Sequence, residues 1–386
     1  MTITFSLYVI ALLLMLFCSL SPKKGTFCFV SFLFPLLVYY HSYIDITSIP
    51  DLEGYSQSFE DIRTINMTDP IDMYMFSLEY KYEIGYMLFI KLCNYFFNFQ
   101  TFLIFYACIL ICLYLLCILK YSQNIYISVL LFIVIFFDQS IFVLRQHLAI
   151  AIVLLSIKYI IKRDIIKFLI ITSIAFLLHK SSIVWYFVYF VYGIKDEKKI
   201  IWIVFLSTAF FFCVFNNLSY INNFLSLGYA TYINESEITS QYKLTNLFII
   251  AYIFIIYYIT NKKIMFKDGY YKLFSLLLIL DLILNLTGYK TILLSRFLLY
   301  YNISLLFVIP MTYNKINNMI LKYLYLLSII VIFTYVNYFG SFALNMKDGK
   351  FAYIDIFNLF IIIMAGLFFA TFIKNNFYKN GYFNNR

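Results

Sequence analysis

Four residues in this chain combine a reactive side chain with an unusual place: Glu83, Arg145, His179 and Arg296. Arg145 opens an apolar run in Phe142-Val143-Leu144-Arg145-Gln146-His147-Leu148-Ala149. A guanidinium stays charged and offers a fork of donors that suits a phosphate group. Snorkelling to a membrane interface, or pairing with Asp138, is the alternative reading. His179 ends another apolar run, in Leu178-His179-Lys180-Ser181-Ser182. An imidazole suits proton transfer or phosphate contact near neutral pH, or it anchors a helix end. Ser181 and Ser182 are placed to cap the helix that follows. Arg296 sits inside a run, with Tyr300 one helical turn on and Lys290 six residues before it. Glu83 stands where the chain returns to apolar sequence, in Tyr82-Glu83-Ile84-Gly85-Tyr86. Burial there would raise its pKa and make it a usable base.

Other polar residues read more plainly. His147 is two residues from Arg145, faces the other way, and is expected to pack or hydrogen-bond. Asp281 and Asn285 share a helix face, and either pair with an arginine or line a polar seam. Tyr55 and Tyr86 could stack on sugar rings or belong to an interfacial aromatic belt. Cys108 and Cys112 are four apart, a spacing that suits packing better than a metal site.

The elements that hold these residues are set by composition. Of 386 residues, 63% are apolar, 22% aromatic and only 12% charged. A soluble chain carries about 25% charged residues, so a soluble enzyme, a nucleic-acid binder and a secreted disulfide scaffold are all disfavoured. The expected fold is an all-α polytopic membrane protein forming one domain over 1–386, because each spanning helix needs about 20 mostly apolar residues. Apolar runs fall near 4–20, 27–43, 84–97, 101–119, 124–137, 141–161, 165–178, 181–194, 200–215, 246–260, 272–287, 291–310, 318–339 and 354–373. The first run lacks a cleavage site and reads as a retained helix. Polar stretches at 44–83, 216–245 and 340–353 interrupt the series.

Basic residues orient the chain. Placing the basic connections inside gathers 19 basic and four acidic residues there, and leaves 10 basic and 15 acidic ones elsewhere. This puts 44–83 and 216–245 outside as loops, the N-terminus outside and the C-terminus inside. Parity then requires one run between 83 and 158 not to cross. Run 84–97 is short and carries Lys91 and Asn94, so it is expected to be interfacial or re-entrant. About thirteen spans remain. Arg145, His179 and Arg296 then lie at the outer ends of helices, beneath loop 44–83.

Taken together, these residues resemble the Wzy-type polysaccharide polymerases, especially the EpsG-like family. The resemblance rests on Asp51/Tyr55, Glu83/Gly85/Tyr86, Arg145/Gln146/Ala149, His179/Ser181 and Arg296/Tyr300, in that order along residues 1–310. It departs at Ile84, where the family often has Pro.

The resemblance implies a GT-C-like glycosyltransferase of the bacterial cytoplasmic membrane. It would join undecaprenyl-diphosphate-linked repeat units into O-antigen, capsule or exopolysaccharide on the outer side. Its partners would be the lipid-linked donor and acceptor, membrane lipid and, optionally, a chain-length regulator, with no nucleic acid. Neither a metal nor another cofactor is implied. Arg145 and Arg296 would neutralise the diphosphate, helped by Lys290. Glu83 and His179 compete as the base, with Glu83 slightly favoured. Asp51, Tyr55, Tyr86 and Tyr300 would contact sugar. A lipid-linked oligosaccharide flippase or other transporter is the alternative class, although related halves and midplane charges are not evident. An O-antigen ligase or a membrane O-acyltransferase shares part of the chemistry.

Overall fold

A computed structural model of the chain describes residues 3–19, 25–196, 240–267, 269–287, 292–339 and 356–378, together with Lys199, Trp202 and Leu206. Their regular structure is helical. Among the described residues, eight helices are long and apolar enough to cross a membrane. Shorter apolar helices occupy Ile84–Phe96, Ile165–Leu178 and Asn246–Asn261. The run at 181–194 divides into a turn at Lys180–Ile183 and a nine-residue helix at Val184–Tyr192. The run at 200–215 lies outside the described residues apart from Trp202 and Leu206, and so do 340–353 and residues 216–239 of the expected outer loop 216–245, whereas 240–245 begin a helix.

The chain divides into two compact units. The first comprises Met1–Leu154, Leu177–Lys180 and Phe333–Arg386. It contains α1 (Ile3–Ser19), α2 (Gly25–Ser42), α3 (Pro50–Asp61), α4 (Pro70–Tyr80), α5 (Ile84–Phe96), α6 (Phe99–Tyr121), α7 (Ile125–Phe142) and α8 (Leu144–Leu154). Helix α6 is apolar all round and largely buried, as a central helix must be. Asn98 caps its start by accepting from the Thr101 N–H at 2.9 Å. Asn124 does the same for α7 by accepting from Ile127 at 3.2 Å. Within α7, residues 132–137 form a π-helical turn. Val143 alone separates α7 from α8: its N–H bonds to the Gln139 carbonyl, and its carbonyl accepts from the His147 N–H.

The polar stretch 44–83 is mostly helical, although its composition reads as loop. Pro50 opens α3, with Asp51 and Glu53 in the first turn, where the helix dipole favours acids. Asp69 caps α4 by accepting from Ile71 at 2.8 Å, and Pro70 follows it. Helix α5 has 13 residues. Its two polar residues face the stretch before it. Lys91 Nζ donates to the carbonyls of Ile62, Arg63 and Ile65 at 2.8–3.0 Å, which closes the C-terminal end of α3. Asn94 donates to the Phe59 carbonyl and accepts from Arg63 Nε.

The second unit comprises Leu155–Phe176 and Ser181–Ile332. Its helices include α9 (Ile157–Lys162), most of α10 (Ile165–Leu178), α11 (Val184–Tyr192), α12 (Ser240–Asn261), α13 (Gly269–Thr287), α14 (Ile292–Asn302) and α15 (Leu305–Lys315). Trp185 is fully buried there and donates to Ser156 Oγ at 2.8 Å. Asp281, also fully buried, accepts from Asn285 at 3.0 Å, and the Asn302 amide, turned so that its nitrogen faces the carboxylate, donates to it at 2.9 Å. That is the polar-seam reading of the pair, with Asn302 supplying the third member.

Candidate functional site

Lys81, Tyr82 and Glu83 link α4 to α5. Lys81 adopts a left-handed conformation (φ 53°), which ends α4 and turns its carbonyl away from the helix. Glu83 occupies the N-cap position of α5 but makes no side-chain capping bond. Its carboxylate is committed elsewhere. Oε1 accepts from His179 Nδ1 at 3.0 Å and from the Lys180 N–H at 3.1 Å. Oε2 accepts from Arg145 at 2.6 Å. Glu83 is 8% exposed and His179 6% exposed.

Gly85 permits this approach. A Cβ there would lie 2.6 Å from the Leu177 carbonyl oxygen and 2.7 Å from the Leu177 Cβ. The start of α5 therefore packs directly on the backbone two residues before His179. The glycine of the Glu-x-Gly pattern is a spacing requirement.

The carboxylate's titration runs against the sequence expectation. Burial raises its pKa, as anticipated. The hydrogen bond from His179, the charge of Arg145 and the Lys180 N–H outweigh burial and hold Glu83 at about 2. Glu83 is thus a fixed anion, not a base poised near neutrality.

Arg145 is held on several sides. Besides Glu83, its guanidinium donates to the Lys81 carbonyl at 2.9 Å. It lies 4.4 Å from the centre of the Tyr82 ring and 5.8 Å from that of Tyr86. Tyr55 stacks on Tyr82 at 5.9 Å, and the Tyr82 hydroxyl shares a 2.9 Å hydrogen bond with Ser58. Arg145 forms an ion pair with Glu83, an acid not anticipated as its partner.

The other anticipated residues fall as follows. Asp51 is exposed in the first turn of α3, one helical turn before the half-buried Tyr55. Tyr86 is 1% exposed, so its ring supports the arginine and presents no free face to a sugar. In the second unit Arg296 is half-buried on α14, and Tyr300 is buried and accepts from Ser181 at 3.3 Å. Ser181 therefore bonds a side chain, and neither Ser181 nor Ser182 caps α11, whose N-cap is Ile183. Lys290 lies outside the described residues. His147 is buried against Tyr114, its Nδ1 3.1 Å from that hydroxyl. Among the described residues no group of three or more His, Cys, Asp or Glu could hold a metal ion.

Tyr82, Ser58 and the Lys81 carbonyl were not legible as site residues. Tyr82 adjoins Glu83 and precedes Tyr86 by one turn, yet 38 tyrosines in the chain drown that signal.

No curated protein and no solved structure matches this chain. The model of the EpsG family matches residues 25–354 and so takes in Glu83, Arg145, His179 and Arg296. The chain belongs to the EpsG family.

Proposed function

We propose that this membrane protein polymerises lipid-linked oligosaccharide repeat units, and that His179 is its base. Membership of the EpsG family supports polysaccharide polymerisation in general. The single observation that carries the mechanism is the Glu83–His179 hydrogen bond at 3.0 Å. With Nδ1–H donated to a fixed carboxylate, Nε2 keeps the lone pair, the arrangement used where an acid orients a histidine base. Glu83 then serves as the orienting group.

The acceptor sugar hydroxyl gives its proton to Nε2 of His179. Its oxygen forms a bond to the anomeric carbon of the donor glycan. The bond from that carbon to the diphosphate oxygen breaks, the electron pair leaves with the lipid diphosphate, and a cation stabilises the departing charge. Arg145 is assigned to that role. Asp51 and Tyr55 are assigned to the acceptor sugar. The reaction is placed on the outer side of the cytoplasmic membrane, with undecaprenyl diphosphate as the carrier and a GT-C-like arrangement of about thirteen spans.

The test is polymer length in a deletion strain. The native chain should restore a ladder. His179→Asn and Arg145→Ala should leave single repeat units while the protein remains in the membrane. Normal ladders from both variants would refute the reading. A reporter fused at Lys195–Lys199 should read cytoplasmic, and an outer signal there would invert the topology.

A further inference from the structure

Helices α4 and α5 flank Glu83, and each buries one face while leaving an apolar face bare. On α4, Phe76 is buried and Ser77 Oγ donates to the Tyr82 carbonyl at 3.0 Å. On its other side Ile71, Tyr74, Met75 and Leu78, spaced as one helical stripe, are 54–71% exposed. A stripe facing water would carry polar residues at these positions. On α5, Lys91 and Asn94 are spent on the carbonyls of the preceding stretch. Leu88, Leu92, Tyr95 and Phe96 are 52–84% exposed.

We infer that both bare faces rest in the interfacial layer of the bilayer, with lipid headgroups and upper acyl chains as the occupant. Three observations select lipid. First, α5 ends at Phe96, and the spanning helix α6 begins at Phe99. The Phe97 ring packs on Phe105 of that span at 5.4 Å, so α5 is fixed at the mouth of a membrane helix. Second, α4 and α5 have 11 and 13 residues. At about 1.5 Å per residue neither crosses a hydrocarbon core of about 30 Å. Third, Tyr74, Tyr95 and Phe96 are aromatics of the kind that favour the membrane–water boundary. Asp72 and Glu79 flank the α4 stripe. Contact is therefore hydrophobic and gains nothing from anionic lipid.

The full chain is reconstituted in phosphatidylcholine vesicles, with and without bromine on the upper acyl carbons. Tryptophan is introduced singly as Leu78→Trp on α4 and Leu92→Trp on α5. Gln57→Trp on the exposed side of α3 is the aqueous control. Emission is read as the difference from the chain carrying only its own Trp185 and Trp202. Brominated lipid should remove about half of the added emission at positions 78 and 92 and leave Gln57→Trp unchanged. Aqueous iodide should do the reverse. If Leu78→Trp behaves like Gln57→Trp, the helix faces water and the inference fails. If neither reagent reaches it, protein covers the face and the inference also fails. Vesicles containing phosphatidylglycerol should give the same loss, and a marked increase there would overturn the hydrophobic assignment. These readings do not depend on polymerase activity.

Discussion

Glu83 Oε1 and His179 Nδ1 stand 3.0 Å apart, although 96 positions separate them in the chain. The contact joins two residues that the sequence presented as rivals for one role.

If the pair works as a unit, removing either member should cost about the same. His179→Ala and Glu83→Ala should each lower the polymerisation rate by about 10²–10⁴-fold. The double variant should be no worse than His179→Ala alone. Rates measured on membranes containing equal protein decide this, and additive losses would show two independent roles.

Acid should loosen the site in a defined window. A carboxyl whose folded pKa lies below its unfolded value stabilises the fold above the unfolded value and loses that contribution as pH falls through the folded one. For Glu83 the folded value is about 2 against an ordinary 4.5. The pairing is worth on the order of 3 kcal/mol. It is fully present above the unfolded value and fades as the medium approaches the folded one. Thermal unfolding of the purified chain across that range should fall more steeply than for Glu83→Gln, and parallel curves would contradict the pairing.

Gly85→Ala adds one methyl group against the Leu177 backbone, 2.6 Å away. Backbone yields less readily than a side chain, so a cost of about 1–3 kcal/mol is expected. The same strain should part Glu83 from His179 and shorten the polymer. An unchanged melting temperature with a normal ladder would show that the helix start shifts freely.

Tyr82 carries Arg145 on its ring face, so ring and hydroxyl can be separated by substitution. Tyr82→Phe keeps the cation–π contact and loses the Ser58 bond. Tyr82→Leu loses both, and the contact itself is worth about 1–2 kcal/mol. Near-normal KM in Phe, with a raised KM in Leu, is the expected pattern for the polymerisation proposed above. Equal KM values in the two variants would remove Tyr82 from the arginine's support.

Asp281→Leu should destabilise the second unit by about 1–3 kcal/mol, because the Asn285 and Asn302 amides lose their buried acceptor. Asp281→Asn keeps an acceptor oxygen and should be milder. Thermal unfolding of the two variants compares them directly.

The sequence displayed the membrane class openly, since 12% charge leaves no other way to cover an apolar chain of this size. It also displayed Glu83, Arg145 and His179, because charge near apolar runs is costly and therefore conspicuous. Partnership was hidden. Nothing local in Glu83 announces that both its oxygens are taken, so burial alone pointed its pKa the wrong way. The helices of 44–83 were hidden as well, since α3 and α4 are held by caps and tertiary contacts in a stretch whose average polarity reads as loop. Lys91 looked like an obstacle to insertion, whereas it is the group that closes α3.

Val143 is the whole connection between α7 and α8, and Arg145 follows it by two residues. A link of one residue has no slack. Inserting a single amino acid there would rotate the guanidinium by about 100° around the helix axis and carry it off Glu83 and Tyr82. The arginine is thus indexed to the chain count itself. Length changes that a surface loop would absorb are forbidden at this corner, even where every side chain is kept.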